Sequence, residues 1–441
     1  MTVAALLADL RIAFMNLIEH GRRTAFLGAA IAAVTSLFVL LTSLSLGIRH
    51  TMIDTATTLA TGHINVSGYF KVTSGQAAAI VSDYKTVAEL VRRSLPEMDF
   101  LVQRGRGWGK VVSDNGSSIP AGIGGVDIAS EPQFKRVLEI LSGNIDELGR
   151  PNTVLLFEEQ AQKLDVRVGD AVTITGATAR GVANTIDCRV VAIAREAGIL
   201  SGFAVFISND SWRQFYRWRS DATGMLQIHL KPGYIDDLDP LVERLRAALA
   251  RGGYRVMEPD PQLYIAKLQT ITREEWTGQK LDVTIWEDEL SFMMWPLQAL
   301  QGFSLVLLLI LLTIMVAGIM NTLWIAIRER TREIGTLRAI GMQRMSVARL
   351  FLLEAALLGM VGATAGVAIG ALVTGLINAA NLPVPATVQL FLMRSTLHLA
   401  LEPSTLLTAI LMITLVTSAA ALYPSLRAAR RKPVDAMAHF G

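Results

Sequence analysis

The chain has 441 residues, of which 51% are hydrophobic and only 18% charged. That balance is too apolar for an ordinary soluble protein, so membrane spans are sought before domains. The formal net charge is only +3, and the single cysteine, Cys188, excludes an internal disulfide.

Residues 1–23 read as a cytoplasmic or interfacial amphipathic helix. Leu6, Leu7, Leu10, Ala13, Phe14, Leu17 and Ile18 recur at helical spacing. An uncharged run of 25 residues follows, between Arg23 and Arg49. It is too long for a signal-peptide core and is not followed by a clear small-residue cleavage site, so it predicts an uncleaved first span over 24–47. Further uncharged runs of 38, 39 and 24 residues lie between Glu289 and Arg328, Glu354 and Arg394, and Glu402 and Arg427. About 20 apolar residues cross a bilayer, so these runs predict spans over 299–326, 350–377 and 404–424. Residues 378–403 become an extracytoplasmic loop, and 425–441 a cytoplasmic tail.

Basic residues set the orientation. Arg11, Arg22 and Arg23, then Arg328, Arg330, Arg332, Arg338, Arg344 and Arg349, then Arg427, Arg430, Arg431 and Lys432 all fall on one side of four spans. The opposite short loops offer Arg49 and Arg394. Both termini and the 328–349 loop are therefore expected in the cytoplasm, and the segment 51–295 outside. That segment holds 31 acidic and 26 basic residues, net −5. The isoelectric point near 9.0 thus reflects topology, and no nucleic-acid partner is expected.

Segment 51–295 reads as mixed α/β. Strand-like runs cover 63–66, 171–175, 189–194 and 226–230, and Asp114-Asn115-Gly116 reads as a turn between extended runs. Helical spacing appears over 82–94, 131–142, 157–164 and 235–250. The order suggests two lobes, one from 51–125 and 225–275, the other an insertion over 126–224. Residues 262–298 are expected to form a helical stalk into the second span. Trp295 suits an anchor at the membrane–water boundary, whereas Trp276 and Trp286 read as packing residues or as a partner-facing surface.

In the third span, Gly359, Gly362, Gly366 and Gly370 form a small-residue face on which another span or a second subunit can pack closely. Apart from Glu354 near the inner end of this span, the spans carry no ionisable residue, which disfavours proton-coupled transport. Glu354 is close enough to the cytoplasmic edge to pair with Arg349 or to snorkel.

The most informative stretch joins the second and third spans. It runs Arg328-Glu329-Arg330-Thr331-Arg332-Glu333-Ile334-Gly335-Thr336-Leu337-Arg338-Ala339-Ile340-Gly341-Met342. Ile334, Leu337 and Ile340 recur at helical spacing, giving a short amphipathic helix with an apolar ridge. Together with Phe351-Leu352-Leu353-Glu354-Ala355 and the tail Tyr423-Pro424-Ser425-Leu426-Arg427-Ala428-Ala429-Arg430, then Lys432-Pro433-Val434-Asp435-Ala436-Met437, this closely resembles the FtsX/MacB superfamily of ABC transporter permeases, the type VII group. The resemblance runs from about residue 303 to the C-terminus as an FtsX-like domain. It implies a membrane α-helical protein with four transmembrane helices in a one-plus-three arrangement, and a large mixed α/β extracytoplasmic MacB-like core domain of two lobes, one porter-like and one inserted. The bacterial inner (cytoplasmic) membrane, with 51–295 periplasmic, is implied by the same resemblance.

The resemblance also implies a mechanism. Two permeases, either two copies or a pair of paralogues, sit above two ATPase subunits. Arg332, Glu333, Ile334, Gly335, Leu337, Arg338, Ala339, Ile340, Gly341 and Met342 would form the ATPase-coupling helix, and movement would pass to the outside domain by mechanotransmission. ATP and Mg would be bound by a separate ATPase subunit, with no cofactor, metal or catalytic residue on this chain. Gly105-Arg106-Gly107-Trp108-Gly109-Lys110 is glycine-rich, but its spacing does not match a phosphate-binding loop. Within the superfamily the chain most resembles the lipoprotein-releasing LolC/LolE type, to which the stretch from Thr61 to Gly68 adds a short motif. Three functions follow as expectations. The first is ATP-driven extraction of lipoproteins or other amphiphiles from the membrane lipid towards a periplasmic carrier. The second is MacB-like efflux with a periplasmic adaptor and outer-membrane channel. The third is FtsX-like regulation of an extracytoplasmic enzyme.

Overall fold

The structure is a computed structural model that describes residues 3–19, 21–73, 76–178, 180–329, 336, 342–384, 389 and 396–429. It divides into two compact units. One comprises 1–50, 297–383 and 396–441; the other comprises 51–296 and 384–395.

The first unit is helical. Helix α1 (Val3–Glu19) is followed by α2 (Gly21–Leu59), α3 (Ser291–Glu329), α4 (Arg344–Ala380) and α5 (Pro403–Ala429). The last four each contain a stretch long and apolar enough to cross a membrane. Ile31 of α2, Met315 and Ile319 of α3, Ala363 of α4, and Ile413 and Ala420 of α5 form a shared core. Helix α1 packs along α4, where the Asn16 amide donates to the buried carboxylate of Glu354. After α4, the loop is pinned by Asn378, whose amide exchanges two 2.9 Å hydrogen bonds with the backbone of Leu399.

The helices outrun the apolar stretches that predict them. Helix α2 does not stop near residue 47 but continues through Arg49 and Asp54 to Leu59. No proline or glycine interrupts 48–61, and Met52, Ala56 and Leu59 bury one face of the added turns, which makes continuation favourable.

The second unit contains two sheets. In the first, β1 (Ile64–Thr73) and β2 (Gln76–Ala78) are joined by β3 (Met98–Arg104) and by three strands from the far end of the segment: β11 (Met225–Leu230), β12 (Arg255–Val256) and β13 (Gly278–Ile285). Their order is β12-β13-β1-β11-β3, with β2 beside β1. The second sheet holds β4 (Trp108–Ser113), β5 (Ser118–Val126), β6 (Ile140–Gly143), β7 (Thr153–Phe157), β8 (Ala171–Ala177), β9 (Ala183–Ala194) and β10 (Ala204–Ser208). Its order is β6-β9-β7-β10-β5-β4-β8. Strands β4 and β5 form a hairpin whose turn at Asp114-Asn115-Gly116 is closed by Gly116 at φ +86°. The core of this lobe gathers Val154, Leu156, Ile174, Ile207, Trp212 and Phe215. Cys188 lies within it, and burial pushes its thiol up to about 12.

Three expectations are corrected here. The inserted lobe does not begin at 126. Strands β4 and β5 already belong to the second sheet, so the chain crosses over at Gly105-Arg106-Gly107 and returns to the first sheet through 217–224. The alternating pattern of β4 and β5 specifies a half-buried strand but not which sheet it joins. Residues 262–298 are not one stalk helix. A helix over Tyr264–Arg273 gives way to β13, which pairs antiparallel with β1 from Ile64↔Ile285 to Lys71↔Gly278. Residues 131–142 hold a helix only over Pro132–Val137 before β6 begins. Trp286 is buried, and the Trp276 indole donates to the Ile271 carbonyl at 3.0 Å, so both serve packing; Trp295 is exposed.

Two histidines sit where β1 and β11 meet. His63 Nδ1 accepts from the Leu230 N–H at 3.0 Å, and the His229 ring stacks on Phe100 at 4.2 Å. Burial lowers His63 to about 4. Burial, then the neighbouring His63 and Arg104, lower His229 to about 3. Both rings are neutral in the fold but bind protons when unfolded below pH 6.5. Their stabilising contribution is complete above pH 6.5, diminishes as pH falls below 6.5, and is fully lost once pH has fallen through about 4 for His63 and about 3 for His229. At pH 5 the expected loss is roughly 2 kcal/mol per histidine. Thermal unfolding of the full chain at pH 7.5 and pH 5 checks this. His229→Phe is expected to flatten the difference, and an unchanged pH response would contradict the assignment.

Candidate functional site

Most of the expected coupling helix lies outside the described residues: Arg332, Glu333, Ile334, Gly335, Leu337, Arg338, Ala339, Ile340 and Gly341. Met342 is described, and it packs on a cluster that fixes both ends of the connection. Ile327 closes α3, Val347, Ala348 and Phe351 open α4, and Ala428 and Ala429 end α5. One turn away, Trp324 of α3 meets Tyr423 of α5 edge-on at 6.3 Å. Arg427 lies over the Trp324 ring at 5.1 Å and donates to the Tyr423 hydroxyl at 3.1 Å. Three helix ends are thereby locked together at the root of the 330–341 segment. Helix α3 spans 39 residues, about 58 Å at the α-helical rise, with Pro296 near its start.

The glycine face of α4 meets two different helices. A Cβ on Gly362 would lie 2.9 Å from Ile31, one on Gly366 would lie 2.5 Å from the Ala32 carbonyl, and one on Gly370 would lie 2.9 Å from Val39. These three face α2. A Cβ on Gly359 would lie 2.9 Å from Thr417 of α5. Where glycines line a helix seam, backbones approach more closely than any side chain permits. Asn16, at the contact between α1 and α4, is a residue that the sequence pattern does not single out. Its one signal is a polar group on the helix α1 that faces the buried Glu354.

Residues 26–248 match the family model described as the MacB-like periplasmic core domain, about half of the chain. Residues 305–433 match the FtsX-like permease C-terminal model. The chain belongs to the FtsX/MacB superfamily of permeases. Members of this superfamily are permease components of ABC transporters, and the four apolar helices with a large α/β extracytoplasmic-type domain are the architecture of that class. The macrolide export ATP-binding/permease protein MacB of Escherichia coli K12 is 33% identical over 141 residues, which is 32% of this chain and 20% of that protein. A MacB of Yersinia pestis bv. Antiqua is 32% identical over the same shares. The matched stretch thus spans a fifth of the length of these curated relatives. Among solved structures, the periplasmic region of MacB from Actinobacillus actinomycetemcomitans aligns with a TM-score of 0.30 and 10% identity, covering 53% of this chain and 94% of that one. The extracellular domain of the noncanonic ABC-type transporter YknZ from Gram-positive bacteria gives 0.30 and 8%, covering 43% and 95%.

Proposed function

We propose that this FtsX/MacB permease couples a separate ATPase subunit, which holds ATP and Mg, to extraction of lipoproteins or other amphiphiles from the outer leaflet of a bacterial inner membrane. Two permeases, identical or paralogous, flank the path, and a periplasmic carrier receives the cargo. The asymmetry of the basic residues supports placing both termini and the 328–349 loop in the cytoplasm. The observation that carries the reading is helix α3. It follows β13 after one short helix, Trp286–Glu289, carries Pro296 near its start, and runs to the packed helix ends beside the 330–341 segment, which supports a push on that segment being passed along it. Extraction suits such a stroke, because each CH₂ taken from lipid costs about 0.8 kcal/mol. The apolar residues exposed along α3, among them Phe303, Val306, Ile310 and Ile314, suit contact with lipid chains or a second permease.

A MacB-like efflux permease with a periplasmic adaptor and outer-membrane channel is the second reading. The identity to proteins named for macrolide export favours it. Affinity purification of the full chain from gently solubilised membranes separates the two. Co-purification of an ABC ATPase with a lipoprotein or its carrier supports extraction, whereas an adaptor and outer-membrane channel support efflux. Leu337→Glu and Gly341→Glu are each expected to reduce ATPase recovery at least about tenfold, because a charge or bulk on an apolar docking ridge is not compensated, while membrane insertion persists. Normal ATPase recovery with both variants would refute the coupling role.

A further inference from the structure

The glycine-rich crossover between the two sheets of the extracytoplasmic unit borders a cavity of about 350 Å³. That size falls within the range of small-molecule sites, about 300–1,000 Å³. Its walls are apolar: Leu200, Phe203, Phe206, Met225, Leu263 and Leu290 all face it. Arg106 projects into this apolar space. The reason lies in its two neighbours. A Cβ on Gly105 would lie 2.6 Å from the Trp212 ring, and one on Gly107 would lie 2.3 Å from the Tyr216 hydroxyl. The backbone therefore presses against the helix Asn209–Tyr216 on one side. In an extended segment the intervening side chain points to the other. Gly224 completes the arrangement, since a Cβ there would lie 2.8 Å from Arg106 Cγ.

The guanidinium is held but only partly satisfied. It stacks on Tyr264 at 4.1 Å, and its Nη1 lies 3.6 Å from Glu289 Oε1 and 3.6 Å from the Met225 sulfur. The side chain is 9% exposed. Nε and Nη2 are buried and have no hydrogen-bond partner among the described residues. These two nitrogens share one edge of the guanidinium plane, the edge that receives a carboxylate or phosphate through two parallel hydrogen bonds. A buried donor left unpaired is costly, so an acceptor admitted to this enclosed edge by a small shift of the side chains around it would be favoured, beside a surface suited to hydrocarbon. Glu289 does not occupy it, because its carboxylate lies on the Nη1 side and accepts from the Thr284 hydroxyl at 3.0 Å.

We infer that this interlobe cleft binds a single-chain amphiphile, with the acyl chain against the apolar walls and an anionic oxygen pair of the head on the Nε/Nη2 edge of Arg106. The inference stands on the cleft alone and does not depend on the extraction reading. The test uses the full chain in lipid nanodiscs, without ATPase or carrier. The probe is palmitic acid bearing a diazirine in its chain, and labelled peptides are mapped by mass spectrometry. Labelling is expected on peptides containing Phe203, Met225 and Leu263. It is expected to fall about tenfold or more when the methyl ester replaces the acid, and by a similar factor in Arg106→Gln, as for loss of a charge-assisted pair. The ester arm uses the unaltered protein, so it decides the matter even if the variant folds poorly. Competition by unlabelled palmitate or by lysophosphatidic acid then identifies a carboxylate or a phosphate head. Equal labelling by acid and ester, or labelling confined to the spans, would overturn the inference. Because no ATPase takes part, a failed extraction assay leaves this result unaffected.

Discussion

Gly366→Leu is expected to separate α4 from α2 and to lower the thermal stability of the solubilised full chain by roughly 5–10 °C. The added Cβ alone would sit 2.5 Å from the Ala32 carbonyl and 2.6 Å from Thr35 Cβ. Neither neighbour can yield locally. The carbonyl is part of the α2 backbone, and Thr35 is fully buried with its hydroxyl donating to the Ile31 carbonyl at 2.8 Å. The remaining leucine carbons must then be housed by moving a whole helix, and such overpacking costs about 1–3 kcal/mol or more. Gly375→Leu on the same helix serves as the control, because a Cβ there would meet nothing within 4 Å. Gel filtration of heated samples measures both. Similar midpoints for the two variants would show that the seam does not hold the bundle. A selective loss at Gly366 would show that the first span must lie directly against the third for the membrane unit to cohere.

The second large effect is expected at Lys267. Its Nζ lies 2.7 Å from Asp282 Oδ2, and both side chains are 1% exposed. Asp282 lies on β13 opposite Ser67 of β1, inside the first sheet. Its other oxygen has no hydrogen-bond partner among the described residues, so Lys267 supplies most of the compensation for a buried charge. Lys267→Met would leave the carboxylate alone in a dry interior, at a cost of about 3–5 kcal/mol. Combining Lys267→Met with Asp282→Leu is expected to restore much of the loss, because the remaining pair is apolar and of similar volume. Heat unfolding of the two single variants and the double variant completes the cycle. A double variant as unstable as the sum of the singles would argue that packing, and not charge pairing, dominates there. The pair matters for more than stability: it clamps the helix Tyr264–Arg273 onto the strand that leads into α3.

The sequence alone was enough to specify what depends on short-range chemistry. Four uncharged runs longer than a bilayer core locate the spans, because transfer into lipid is nearly additive along a helix. The Asp114-Asn115-Gly116 turn is legible because only glycine accepts its backbone angle without strain. The spaced glycines of α4 likewise carry their meaning locally. Only the tertiary structure decided the rest. That β13 pairs with β1, more than 200 residues away, is a choice among many alternating segments, and burial against distant partners makes it. The same holds for the sheet that takes β4 and β5, for Asn16 beneath Glu354, and for the partner of Lys267. Arg106 shows the difference most plainly. In sequence it sits in a glycine-rich stretch that fails as a phosphate loop. In the fold, Trp212 and Tyr216 press on the glycines at either side and turn its guanidinium into an apolar cleft. The glycines are written in the chain, but the side chains that make them necessary are brought there only by folding.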